Sequence, residues 1–373
     1  MKYIYERKNW TDFSWDWREI TPVLTSVHQK EGILFGKLSF MDDSSQKELM
    51  LNAISDELQK SYEIEGEKLD LAKVRSSFAN RLKISIKDKV YSGREIDNFT
   101  DILLDAVKNH AEKLTKERLF GWHKKMFAGG RSGLYKISAG EYRKTEMQVI
   151  SGRFGRERVH YQAPAASAVD REMRNFLRFV NGNETRDSII KAVAAHLWFV
   201  SVHPFDDGNG RLARIITEML LARADGRPYR FYSVSSQIMK ERNAYYETLE
   251  RTQKGNGDIT EWIIWFLRCM EKSIAAAEDS VNGILRKTLF WQKNSDISFN
   301  PRQREMLNRL FGGFDGKLTS SKWAKINKCS IDTALRDINA LIAKKILAQD
   351  SGSSKNTSYA LIRDAGDRPI SRE

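Results

Sequence analysis

The stretch HPFDDGNGRLAR, His203 to Arg214, packs an imidazole, two carboxylates, a glycine-rich turn and two arginines into twelve residues. The run before it, SIIKAVAAHLWFVSV, is apolar without a breaker, and its length and alanines predict a buried helix. After the glycines, Leu212, Ile215, Ile216, Met219 and Leu220 recur at helical spacing. The turn is thus expected between two helices, at the N-terminus of the second. There unpaired N–H groups and the helix dipole favour an oxyanion, and glycines let the backbone close around it. Phosphate is the natural guest. No G-K-[ST] follows the glycines and no strand clearly precedes them, which excludes a Walker loop and the dinucleotide fingerprint.

Each side chain has a role in such a site. Arg211 and Arg214, three residues apart on one helix face, suit two successive phosphates. Asp207 suits Mg²⁺ held against those phosphates, and Asn209 offers an amide to a phosphate oxygen. His203, fixed by Pro204, is placed to act as general base for an incoming hydroxyl, and Phe205 to anchor the loop. Singly, each has an ordinary reading: an N-cap, a solvated helix face, a loop histidine. Together they point to one phosphate chemistry.

The rest of the chain bounds the answer. Its 373 residues, 41% hydrophobic and 30% charged, allow two or three domains with real cores. The N-terminus shows no signal-peptide core and no apolar run reaches a membrane span, so a cytoplasmic location without membrane contact is expected. Cys269 and Cys329 are far apart and the six histidines are scattered, which argues against a disulfide framework or a structural metal. The net charge of +13 favours an anionic partner such as nucleic acid, nucleotide or an acidic protein surface.

Helical periodicity prevails, giving a mainly α protein. A short N-terminal segment is expected to end near Phe40. Ser45-Gln46-Lys47-Glu48 reads as a capping box opening a helix that runs to Gly66. Further helices are expected at about 69–82, 98–127, 164–181, 188–202 and 210–223, and another after Asp258. Residues 140–161 alternate around Gly152 and Gly155 as a β-hairpin would, and WQKNSDISFNP reads as a linker. Beyond it, helices at 302–311, 321–327 and after Ser330 precede two strand-like runs, KILAQD and TSYALI, around the turn SGSSKN. Three helices and a hairpin make a winged helix-turn-helix, a module that reads DNA or serves packing and protein contacts.

The motif H-P-F-x-D-G-N-G-R-x-x-R resembles, without a mismatch, the signature of the Fic proteins. The resemblance implies a Fic-type helical core with a β-hairpin flap, transferring AMP from Mg·ATP to a Tyr, Thr or Ser hydroxyl of a target protein, itself included. It assigns the base to His203, the Mg²⁺ ligand to Asp207, the anion hole to Gly208, Asn209 and Gly210, and the β- and γ-phosphates to Arg211 and Arg214. Gln148 to Gly152, with Val149, Ile150 and Ser151, resembles the flap that pairs with the target as an added strand. Tyr245, Tyr246 and Gln253 resemble the lining of the adenosine pocket. A homodimer is the family's habit.

The resemblance divides the chain into an N-terminal extension (1–97, with an inhibitory helix at about 45–66), a catalytic domain (98–290) and a winged helix (296–365). SYEIEG, Ser61 to Gly66, sets Glu63 and Glu65 at a helix C-terminus, where the dipole disfavours carboxylates. It matches the family's inhibitory pattern [S/T]-x-x-x-E-[G/N] at Ser61, Glu65 and Gly66, which implies a Glu65–Arg214 salt bridge that denies the arginine to the γ-phosphate. Three other readings stand beside this one: a DNA-binding regulator whose core only senses nucleotide, transfer of another phosphate-containing group, and removal of AMP.

Overall fold

A computed structural model of the chain describes residues 3–151, 158–182, 187–312, 314, 316–350 and 357–362. It is mainly helical and falls into two compact units, Met1–Glu278 and Asp279–Glu373. Gly152 and the turn SGSSKN lie outside the described residues. Among the described residues no helix is long and apolar enough to cross a membrane.

The first unit contains α1 (Trp17–Leu38), α2 (Asp43–Ile64), α3 (Leu71–Leu82), α4 (Arg94–Lys108), α5 (Lys116–Met126), α6 (Val169–Asn181), α7 (Ser188–Val202), α8 (Asn209–Asp225), α9 (Val234–Lys240) and α10 (Arg242–Gln253). α11 (Thr260–Lys293) begins in it. Two short antiparallel hairpins interrupt the helices: β1 (Arg131–Ser132) with β2 (Tyr135–Lys136), and β3 (Gln148–Ser151) with β4 (Arg158–Gln162).

The centre is α7, buried from Ile189 to Val202 apart from the half-buried Lys191, and packed against α8, whose Leu212 to Ala222 are buried. Asp187 caps α7 by accepting from the Ile189 and Ile190 N–H groups. The chain then reverses through the glycine turn, so the motif sits where two core helices meet end to end. α2 packs against α3, α8 and α9.

Several elements differ from the sequence expectation. The N-terminal segment expected to end near Phe40 contains the 22-residue helix α1. The cap of α2 is Asp42, which accepts from the Ser45 N–H at 2.9 Å, so the Ser45–Glu48 box lies inside the helix. The single helix expected over 98–127 is two, because Thr115 caps a new start at Lys116. Residues 140–147 carry a turn and bends outside any strand, and the hairpin is confined to β3 and β4 with a register shift between Val149 and Ile150. α11 continues to Lys293, three residues into the expected linker. α9, α10 and the β1–β2 hairpin were not foreseen.

The second unit carries α12 (Pro301–Phe311), α13 (Ser320–Asn327), α14 (Ile331–Ala343) and the antiparallel pair β5 (Leu347–Gln349) and β6 (Tyr359–Leu361). Asn300 and Gln303 form a reciprocal capping box at α12. Met306, Leu307, Trp323, Ala334, Ile338, Leu341 and Leu347 close a separate core.

Candidate active site

α7 ends at His203, which takes the left-handed conformation (φ 50°) as the helix C-cap. Few non-glycine residues adopt it, so surrounding bonds must hold it there. The Arg143 guanidinium donates to the His203 carbonyl at 2.8 Å, and the Arg143 N–H to that of Pro204 at 2.9 Å. His203 Nδ1 lies 3.3 Å from the Val200 carbonyl. A carbonyl only accepts, which puts the proton on Nδ1 and leaves the Nε2 lone pair free. Burial, with the Arg143 cation adding to it, pushes the imidazole down to about 4. The ring is therefore neutral at pH 7, the state a general base needs.

The loop after it is rigid. Phe205 is fully buried and stacks on His123 at 4.1 Å between centroids. Asn209, 2% exposed, accepts from the Phe205 N–H at 3.0 Å and donates to its carbonyl at 2.8 Å. The sequence reading offered this amide to a phosphate; its side chain is instead spent on closing the loop. His123 bonds the Asp207 carbonyl (3.1 Å) and the Gly140 N–H (2.8 Å), and the Ser138 N–H bonds Asp206. Gly208 has φ +80°, and a Cβ there would press on Phe127 at 2.8 Å. Past it, the first turn of α8 presents its N–H groups.

Two guanidiniums flank that turn, both 3% exposed. Arg211 lies over the Tyr62 and Phe127 rings and donates to Glu67 at 2.9 Å and to Asp207 at 3.4 Å. Arg214 donates to the Ser61 hydroxyl (2.8 Å), the Ser61 carbonyl (2.7 Å) and the Glu65 carboxylate (2.7 Å). Among the described residues, Arg211 Nε and Arg214 Nη1 are buried with no hydrogen-bond partner, as donors awaiting an anion would be. Glu65 also lies against the turn itself, because a Cβ on Gly210 would collide with its carboxylate.

The segment that delivers Glu65 is a closed helix end. Gly66 takes φ +86°, its N–H bonds Glu63 O, and the Glu67 N–H reaches back to Tyr62 O. This double return requires a left-handed residue after the C-cap, which is the physical reason the sequence pattern asks for Gly or Asn there. Arg242 and the Tyr246 hydroxyl add bonds to the Ile64 carbonyl at 2.7 and 3.2 Å.

The remaining candidates divide. Asp207 is 40% exposed and its carboxylate accepts from the Ser132 hydroxyl and the Gly208 N–H. Among the described residues no cluster of three or more His, Cys, Asp or Glu exists to hold a metal alone. The donor set therefore suits Mg²⁺ only with phosphate oxygens completing its shell. Tyr245 is buried in the core, hydrogen-bonded to His196 at 3.0 Å, while Tyr246 is partly exposed beneath Arg242. Gln253 is buried against the Ser201 hydroxyl. Val149 packs against the cluster of Tyr3, Tyr161 and Ala163, and Ile150 is exposed. Arg143, Ser132, His123, Tyr62 and Glu67 escaped the sequence reading. Arg143 and His123 bond backbone atoms, which leave no trace in residue spacing, whereas Glu67 stood two residues beyond Glu65.

The comparisons agree with this geometry. The Fic/DOC family model matches residues 113–221, and a domain of unknown function, DUF4172, matches residues 3–84. A protein adenylyltransferase Fic of Nematostella vectensis is 25% identical over 236 residues, covering 62% of this chain and 50% of that protein. The Drosophila yakuba counterpart is 25% identical over 261 residues, covering 67% and 45%. The chain thus spans about half the length of the curated relatives it matches. A crystal structure of a Fic family protein from Desulfovibrio desulfuricans has a TM-score of 0.53 at 21% identity, covering 94% of this chain and 98% of that one, a likeness of fold. With the motif in place at the α7–α8 junction, residues 113–221 match the Fic/DOC family model.

Proposed function

We propose that this chain is a protein adenylyltransferase that moves AMP from ATP to a protein hydroxyl and that Glu65 holds it back. The observation that carries the reading is the convergence at one glycine turn of a neutral imidazole with a free Nε2, an accessible carboxylate and two guanidiniums with orphaned donors. The triphosphate lies along the first turn of α8, its outer phosphates on Arg211 and Arg214. Asp207 would hold Mg²⁺ together with phosphate oxygens, and the cation would neutralise the polyphosphate. His203 takes the hydroxyl proton as that oxygen bonds the α-phosphorus, and the bond to the bridging oxygen breaks to release pyrophosphate.

Glu65 opposes this by occupying Arg214 and the space beside Gly210. A γ-phosphate and the carboxylate claim the same guanidinium, so ATP binds with its α-phosphate out of line. Incubation with α-labelled ATP tests both parts. Glu65→Gly should label itself or added protein well above wild type, and His203→Ala in that background should cut labelling by about a hundredfold or more, leaving a small residual rate. Equal labelling by wild type and Glu65→Gly removes the brake; labelling that His203→Ala leaves undiminished removes the base.

A further inference from the structure

Arg143 is 2% exposed and every acceptor of its side-chain hydrogen bonds is a backbone carbonyl: His203 at 2.8 Å, Thr145 at 2.8 Å, Pro164 at 2.5 Å and Val202 at 3.4 Å. Burying a cation away from a carboxylate is costly, so four carbonyls are a demanding set of partners. Val202 and His203 are the last residue and C-cap of α7, where orphan carbonyls and the negative dipole end attract a cation. That accounts for two of the four bonds. Thr145 and Pro164 belong elsewhere: they stand just before β3 and just after β4, at the root of that hairpin. Only a planar fork spans both sets at once. The imidazole itself hangs from a left-handed residue, and the Val200 contact at 3.3 Å is long for a hydrogen bond.

We propose that Arg143 is a positioning residue for His203, fixing the peptide from which the imidazole projects and tying it to the root of the β3–β4 hairpin. Its kinetic consequence rests on the AMP-transfer reading; its effect on the ring does not. A small rotation of the His203 backbone would swing Nε2 off the line of proton transfer, and misplacement on the ångström scale costs about a hundredfold.

The test uses Arg143→Lys and Arg143→Gln of the full chain, in the Glu65→Gly background, with folding followed by thermal melting. Transfer should fall about 10- to 100-fold in kcat, with KM for ATP moving less than about threefold, because Arg143 touches no group of α8. Nitrogen chemical shifts of the labelled His203 ring, read without nucleotide, should change from the Nδ1–H tautomer to a mixture. Placed on His203→Ala, Arg143→Lys should lower the residual rate less than about twofold, since a residue acting through the imidazole has nothing left to position. A folded Arg143→Lys that keeps its kcat and its Nδ1–H signal overturns the proposal, as does a loss confined to KM or one equally large on His203→Ala. If Arg143→Gln does not fold, Arg143→Lys, which keeps the charge and gives up the fork, decides. If the Glu65→Gly parent transfers nothing, the adenylyltransferase reading fails, and the ring spectrum still decides Arg143.

Discussion

The motif loop His203–Gly210 and the helix end Ser61–Glu67 meet at Arg214, and they are held in opposite ways. The loop is pinned from within by Asn209 and from behind by Arg143 and His123, mostly through bonds to its backbone. The helix end approaches the same arginine through one carbonyl, that of Ser61, and two side chains, the Ser61 hydroxyl and a Glu65 that is 29% exposed. Backbone bonds around a buried turn are lost only by opening the turn, whereas a partly wet carboxylate exchanges for another anion at small cost. One region is built to stay, the other to be displaced. Because Glu65 against Arg214 is anion against cation, the most direct competitor under the proposed reading is a phosphate group of ATP.

The largest effect should come from breaking the rigid side. Asn209→Ala leaves the Phe205 N–H and carbonyl buried without partners, which costs about 3 kcal/mol, or a fall in melting temperature of roughly 6–12 °C. The transfer rate of the Glu65→Gly form should drop about a hundredfold as the loop loses its shape. Were the amide a phosphate ligand instead, KM for ATP would rise while the melting temperature held.

The next effect, about tenfold, concerns pH. An exposed histidine base titrates near 6.5, so at pH 5.5 it would keep about a tenth of its activity. Burial has moved His203 down to about 4, so kcat/KM of the Glu65→Gly form should stay nearly level to pH 5 and fall only below it. The same shift makes the unfolded chain take up a proton between 6.5 and 4 that the folded one does not. This contribution to stability is full above pH 6.5 and is lost as the pH falls to 4. An acid limb centred near 6.5 would mean that water reaches the ring in solution.

How much of this was legible in the sequence follows the same division. The α7 and α8 helices announced themselves because their apolar runs are long and uninterrupted, and the motif between them keeps its chemistry in twelve consecutive residues. The Glu65–Arg214 contact joins residues 149 positions apart, and only the resemblance to a known pattern located it. The capping of α2 was misplaced because Asp42 and Ser45 are both competent caps, and packing chose the earlier one. Asn209 was misread because an amide that closes a loop and one that faces a phosphate have the same letter in the same place. Arg143 left no signal, since its partners are carbonyls that every residue carries.

On the displaceable side, Ser61→Ala removes one of the two Ser61 contacts to Arg214, the hydroxyl at 2.8 Å, and keeps the carbonyl and Glu65. The arginine then holds its resting pose less firmly, and labelling should rise about threefold, well short of Glu65→Gly, as expected for the loss of one hydrogen bond of roughly 0.7 kcal/mol net. A rise equal to that of Glu65→Gly would shift the brake from the carboxylate to the hydroxyl.

The smallest change, and the one that most sharpens the comparison, is Glu67→Gln. Glu67 stands two residues from Glu65 and makes an ion pair of similar length, 2.9 Å, but with Arg211. It is 45% exposed, and burial of its inner face holds its carboxyl above the usual range, so the pair is half screened. Arg211 also keeps Asp207 and the two aromatic rings when Glu67 is neutralised, so it does not change its pose. Neutralising Glu67 should tighten ATP about twofold through a weaker opposing charge, ~0.5 kcal/mol, and leave the transfer rate unchanged. The two glutamates lie on one helix end, and each meets an arginine with an unpartnered donor among the described residues, yet Glu65 crowds Gly210 while Glu67 does not. If titration calorimetry and labelling show Glu67→Gln activating as strongly as Glu65→Gly, the restraint is a diffuse negative field over the phosphate site; if they differ as stated, it is the single contact at Arg214.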